Sequence, residues 1–119
     1  MFDVKYYEDK NGKSEVRDYI EDLERKSKTD KSARTLYKKF IYYLGLLKSE
    51  GTRTGEPAVK HIDGDIWELR PIDKRIFFFY WKDNKFVFLH HFTKKTNKTP
   101  PHEIIQAKNK LKDWVERNK

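Results

Sequence analysis

Six consecutive residues, His90-His91-Phe92-Thr93-Lys94-Lys95, gather the groups best suited to chemistry. Imidazole titrates near neutrality and can accept or donate a proton. Ammonium and guanidinium groups can hold negative charge as it develops in a transition state. Together these suit cleavage of RNA by its own 2′-hydroxyl, which needs a proton acceptor, a donor for the leaving oxygen, and cations for the phosphorane. His90, Lys94 and Lys95 are therefore candidate catalytic residues, and Arg70 joins them because a guanidinium fork grips phosphate in two places. Arg75 stands across the tight connection Pro71-Ile72-Asp73-Lys74, and Lys60, His61, Arg75 and Lys98 are candidate RNA-binding residues. Lys60 and His61 are expected to precede a hairpin and line the same face as Arg70. Each candidate has a structural alternative. For either histidine it is a core ring with a satisfied N–H. For Arg70 it is an ion pair with Glu68, on the same face of its strand, and Asp73 lies between the two arginines.

Other chemistries find no support. The histidines are His61, His90, His91 and His102, with no HxxxH or HExxH spacing, and adjacent histidines on a strand point to opposite faces. No metal and no cofactor is expected. The chain has no cysteine, so disulfides and thiolate metal sites are excluded. No serine lies in a nucleophile-elbow motif and no phosphate-loop motif is present.

The formal charge of +8 points to a polyanionic partner, since basic side chains release counterions condensed on phosphates. It also suits simple solubility. The excess is uneven: Lys94 to Lys119 holds eight Lys/Arg against three Asp/Glu, so five of the eight net charges lie in the last 26 residues. Nothing at the N-terminus resembles a secretory leader, and no apolar run approaches the roughly 20 residues that span a bilayer. A cytoplasmic protein without membrane contact is expected.

These groups need a scaffold. The 119 residues suit one domain, 1–119, and with 15% aromatic residues the core must rest on a few bulky rings. Phe2 to Tyr7 alternates like a strand, with Phe2, Val4 and Tyr6 on one face. Ser14 caps an amphipathic helix running to about residue 27. A second helix starts near Asp30 on the stripe Ala33, Leu36, Tyr37, Phe40, Ile41, Leu44 and Leu47, and Gly51 stops it. Residues 51–57 read as loop. Three strands follow: Asp65 to Arg70, the nearly continuous apolar run Arg75 to Trp81, and Lys85 to Phe92. In the last, strict alternation sets Val87, Leu89 and His91 opposite Phe86, Phe88, His90 and Phe92. Thr99-Pro100-Pro101 starts a closing helix. The expected fold is α+β, in the order β-α-α-β-β-β-α, with a mainly antiparallel four-stranded sheet.

Three segments carry a family likeness: Ile66-Trp67-Glu68-Leu69-Arg70, Arg75 to Tyr80, and Leu89 through Phe92-Thr93-Lys94-Lys95-Thr96-Asn97-Lys98-Thr99-Pro100. They resemble the HigB, or phage-derived Gp49-like, group of RelE-superfamily toxins, and the likeness runs through essentially the whole chain. The resemblance implies a RelE-like fold and a type II toxin that enters the ribosomal A site and cuts mRNA, halting translation. It implies a HigA-like helix-turn-helix antitoxin, with operator DNA bound only through that antitoxin. By this likeness Arg70 matches an arginine that steadies the scissile phosphate, and Lys94 and Lys95 match the basic group after the last strand. His91 departs from the pattern, which more often has a small residue there. Two other readings stand beside it. Residues 30–118 alone have the order of a double-stranded-RNA-binding module, and a ParE-like toxin of the same fold would act on DNA gyrase.

Overall fold

The computed structural model describes all 119 residues. Strand β1 (Asp3–Tyr6) leads into helices α1 (Glu15–Lys26) and α2 (Lys31–Glu50), and a 3₁₀ turn (Gly51–Thr54) follows. Four strands come next, β2 (Val59–Asp63), β3 (Ile66–Leu69), β4 (Lys74–Lys82) and β5 (Lys85–Thr93), and α3 (Pro101–Arg117) closes the chain. The sheet order is β1-β5-β4-β3-β2, with β1 parallel to β5 and every other pairing antiparallel. The α+β class and the helix hairpin are as expected, but the sheet has five strands, not four. The strand missing from the expectation is β2. It lies at the edge of the sheet, where one neighbour suffices and a strict apolar alternation is not required. The element order with β2 in place also departs from that of a double-stranded-RNA-binding module.

Local chemistry sets the helix ends. The Ser14 hydroxyl accepts from the Arg17 N–H at 3.2 Å, and the Asp30 carboxylate accepts from the Ser32 N–H at 3.0 Å. Gly51 ends α2 at φ +67, and a Cβ there would sit 2.9 Å from the Phe2 ring. On α2 the buried positions are Ala33, Phe40, Tyr43 and Leu47, while Ile41 is exposed. Tyr37 and Leu44 also pack against the core, so the expected stripe is corrected only at Ile41 and by the addition of Tyr43.

The sheet has a core on each face. Leu69, Ile76, Phe78, Phe86 and Phe88 pack under α1 and α2, with Phe2, Val4 and Tyr6 of β1 beside them. Ile66, Phe77, Phe79, Val87, Leu89 and Phe92 pack against Ala107 and its neighbours on α3. Strand β4 is thus covered on both sides, which explains its unbroken apolar run.

One irregularity decides where the chemistry goes. Phe78 pairs with Phe88, but Phe77 pairs with His90, so Leu89 is an extra residue in β5. This bulge resets the alternation. Leu89, His90 and Phe92 all face α3, whereas Phe86, Phe88 and His91 face the helix hairpin. The expected set of Phe86, Phe88, His90 and Phe92 on one face is corrected accordingly.

Candidate functional site

On the α3 face a row of directly opposed residues crosses the sheet: Lys60 of β2, Glu68 of β3, Phe77 of β4 and His90 of β5. Opposed residues share a face, so Lys60, Glu68 and His90 stand on one side. Glu68 is fully buried. Its Oε2 lies 3.1 Å from Arg70 Nε and 3.8 Å from Arg75 Nε, yet neither carboxylate oxygen is aligned in a hydrogen bond. Burial raises the Glu68 pKa, while the charges of Arg75, Arg70, Lys94 and Lys60 pull it back. Two arginines in contact and two lysines acting from further off therefore favour the ionised form of one desolvated carboxylate. A buried ionic group without hydrogen bonds costs stability, and such groups concentrate where function holds them.

The two arginines are held differently. Arg70 reaches outward as well, with its Nη1 donating to Glu56 Oε1 at 2.9 Å. Glu56 is 61% exposed. Arg75 turns back on the connection, its Nη1 donating to the carbonyls of Ile72 at 2.9 Å and Lys74 at 2.8 Å. Ile72 has φ 56, a conformation that strains a β-branched side chain, and half its surface is exposed. Such strain costs on the order of 1–3 kcal/mol, and here it presents a carbonyl to an arginine. A cavity of about 270 Å³ opens beside this corner, lined by Lys39, Tyr43, Pro57, Arg70, Ile72 and Arg75. The half-buried Lys94 is fixed by its backbone N–H, which donates to the Asp73 carbonyl at 2.8 Å. Lys95 and Lys98 are exposed on the connection to α3.

His90 lies beneath α3, 5% exposed, with Nε2 2.7 Å from Glu103 Oε1 and its ring between Phe77 and Phe92. His91 is on the other face, stacked on Tyr19 with centroids 4.5 Å apart. Burial, with Lys74 adding to it, lowers the His91 pKa to about 4. Lys74 Nζ caps the same Tyr19 ring at 4.4 Å and donates to Thr93 Oγ1 at 3.1 Å.

His61 does not join Lys60. It is opposed to Trp67 on the hairpin side of the sheet, and its Nε2 lies 2.8 Å from the Gly64 carbonyl. The expectation that both line one face fails because β2 is a strand, in which neighbours alternate. The structure thus brings together Lys60, Arg70, Arg75 and Lys94, sets His90 on the same face beyond Phe77 and under α3, and leaves His61 elsewhere. Glu56, Ile72 and Glu103 were not anticipated. Glu103 falls in the first turn of α3, where acidic residues are favoured for the helix dipole alone, so nothing in its position signals a partner on β5.

The family model described as phage derived protein Gp49-like (DUF891) matches residues 18–112. No curated protein matches the chain.

Proposed function

The chain belongs to the Gp49-like phage-derived protein family, a RelE/HigB-like toxin group, and on that premise we propose that it is an mRNA endoribonuclease acting on the ribosome. The observation that carries this reading is the cluster of Lys60, Arg70, Arg75 and Lys94 around the buried Glu68. Such a cluster suits a phosphodiester whose charge grows during reaction. The 2′-hydroxyl gives its proton to water as its oxygen attacks the adjacent phosphorus, the bond to the 5′-oxygen breaks, that oxygen takes up a proton, and a 2′,3′-cyclic phosphate and a free 5′-hydroxyl result. Arg70 holds the non-bridging oxygens, because its outer bond goes to an exposed, exchangeable carboxylate. Arg75 and Glu68 keep it aimed. Lys94 and Lys95 flank the leaving oxygen, where an ammonium can supply the proton, and Lys60 and Lys98 hold neighbouring phosphates.

His90 takes a positional part in this scheme. Its Nε2 is committed to Glu103 and almost none of its surface is open. Direct proton transfer, the role its type suggests in the sequence, suits that geometry poorly. Seating α3 and Phe92 against the cation cluster suits it well. A helix-turn-helix antitoxin of the HigA type is the proposed partner. No helix is long and apolar enough to cross a membrane.

The test is induction of the gene in bacteria. Growth arrest with cleaved, translated mRNAs is expected, and Arg70→Ala should relieve both. Arrest with intact mRNA would overturn the nuclease reading, and cleaved DNA trapped with gyrase would replace it with the ParE-like one.

A further inference from the structure

Charge in the helix hairpin is sharply divided. Helix α1 carries three Lys/Arg against five Asp/Glu, while α2 carries Lys31, Arg34, Lys38, Lys39 and Lys48 against Glu50 alone. A charge excess that served only solubility would not need to be segregated onto one of two adjacent helices. On α2, Thr35, Lys38, Lys39 and Tyr42 recur at the spacing that puts them on one face, and they line a cavity of about 310 Å³. Lys39 also lines the cavity of about 270 Å³ that holds Arg70 and Arg75, and a third of about 260 Å³ against residues 54–58. The three openings share Lys39 and so adjoin as a shallow groove between the arginine corner and α2. Within it Tyr42 is 61% exposed, its ring tilted against Tyr43 with centroids 5.9 Å apart, and Lys39 sits over the Tyr43 ring at 5.4 Å. Glu56 is the one carboxylate lining these three cavities, and it is already bound to Arg70.

From this arrangement we propose that the groove along α2 carries the substrate RNA strand beyond the cleavage corner. Lys38 and Lys39 hold its phosphates and Tyr42 stacks on an unpaired base. Cations that track a backbone beside an open aromatic ring are the pattern by which single strands are held without sequence readout. The lysines and arginines lining these openings, against the single and already bound Glu56, favour a polyanion over an apolar helix. The inference rests on the nuclease reading for the identity of the strand, but its test does not depend on cleavage.

The experiment measures binding of the full chain to a fluorescein-labelled, 2′-O-methylated single-stranded RNA, by anisotropy over a range of salt. Because that RNA cannot be cut by its own 2′-hydroxyl, binding is read alone. Lys38→Ala/Lys39→Ala should weaken binding about tenfold or more near physiological salt. It should also reduce the slope of log affinity against log salt by roughly 1.4, as expected for two lost phosphate contacts on a single strand. Tyr42→Ala should weaken binding about fivefold or more with the slope unchanged, because stacking releases no counterions. Lys10→Ala/Lys13→Ala, in the turn before α1, removes the same charge away from the groove and should leave the slope near that of the parent. Lys38→Ala/Tyr42→Ala changes only exposed side chains, so a loss of binding in that variant with unchanged melting is not a folding defect.

Equal losses in the Lys10/Lys13 variant would overturn the proposal in favour of net charge alone. Wild-type binding in the α2 variants would overturn it outright. Binding of an acidic polyglutamate peptide with the same dependence on Lys38, Lys39 and Tyr42, while RNA shows none, would overturn it in favour of a protein segment. Failure here is distinguishable from failure of the nuclease reading. If mRNA is cut in cells while the α2 variants behave as the parent, the groove fails alone. If the RNA binds with the stated dependences but mRNA stays intact, the nuclease reading fails and the groove stands.

Discussion

Two adjacent imidazoles on β5 meet opposite surroundings, and the contrast separates the two faces of the sheet. His90 faces α3 on the same side of the sheet as the fully buried Glu68, with Phe77 between them, and its own Nε2 is held by Glu103. His91 faces the helix hairpin, pressed on Tyr19 under Lys74, and is held neutral. On the α3 side, charge is gathered and left imperfectly bonded, at a cost in stability. On the hairpin side, a titratable group is absorbed into packing. The same residue type anchors α3 on one face and stacks on a helix tyrosine on the other. A single extra residue, Leu89, decides which histidine goes where.

The largest effect that could break this contrast is on activity. Arg70→Ala should reduce mRNA cleavage about 10²–10³-fold, the usual cost of removing one preorganised group that holds developing charge. Arg70→Lys should recover part of it at most, since it keeps the charge and loses the fork. His91→Phe, on the packing face, should leave cleavage near that of the parent. Equal losses from Arg70→Ala and His91→Phe, measured by primer extension on induced mRNA, would erase the distinction between the faces.

Next comes acid stability. The folded-state pKa of His91 is lowered to about 4, mainly by burial, whereas an unfolded histidine titrates near 6.5. Between those values the unfolded chain binds a proton that the folded chain refuses, so stability falls as pH drops from about 6.5 to about 4 and then levels off at this residue. His91→Phe should flatten that limb of the melting curve. Proton NMR should follow the His91 ring titrating near 4, and a His91 midpoint close to 6.5 would sink the assignment.

A smaller loss is expected from Glu103→Ala, which leaves His90 Nε2 beneath α3 without its partner. An orphaned buried group costs about 1–3 kcal/mol, which chemical denaturation can measure. Cleavage should fall with it only if the seating of α3 positions the cation cluster. A stable variant with full activity would remove His90 from the site altogether.

The sequence made some of this legible and hid the rest for physical reasons. Caps, apolar spacing and the run from Ile76 to Phe79 reported both helix starts and the central strand, because those signals are local. Strand β2 escaped because Lys60, His61 and Asp63 need bury nothing at a sheet edge. The bulge at Leu89 escaped because an apolar residue is welcome on either face, so no change in residue type marks the slip. Arg70, Arg75 and Lys94 were visible as charges on a strand end, and the ion pair of Arg70 with Glu68 was an alternative read from their shared face. The arrangement as a ring around Glu68 required the pairing of β2, β3 and β4. Glu56 was invisible as a partner of Arg70, since the two lie 14 residues apart with β2 and β3 between them.

That last pair permits the finest test. Arg70 is gripped by two carboxylates, Glu68 within the protein and Glu56 at its surface. Only the outer one can yield to an incoming phosphate without leaving a buried charge unpaired, so Glu56 stands where a phosphate oxygen would bind. Exposed pairs contribute about 0–1 kcal/mol, so releasing Arg70 from Glu56 should strengthen RNA binding by no more than about fivefold. Glu56→Gln is therefore expected to tighten binding of the uncleavable RNA slightly at low salt, with the gain fading as screening rises. Glu68→Gln should act in the opposite direction, because it withdraws the charge that aims both arginines. If both substitutions tightened binding alike, each carboxylate would be acting only as a like-charge repellent of RNA, and the division between an inner orienting residue and an outer exchangeable one would fall.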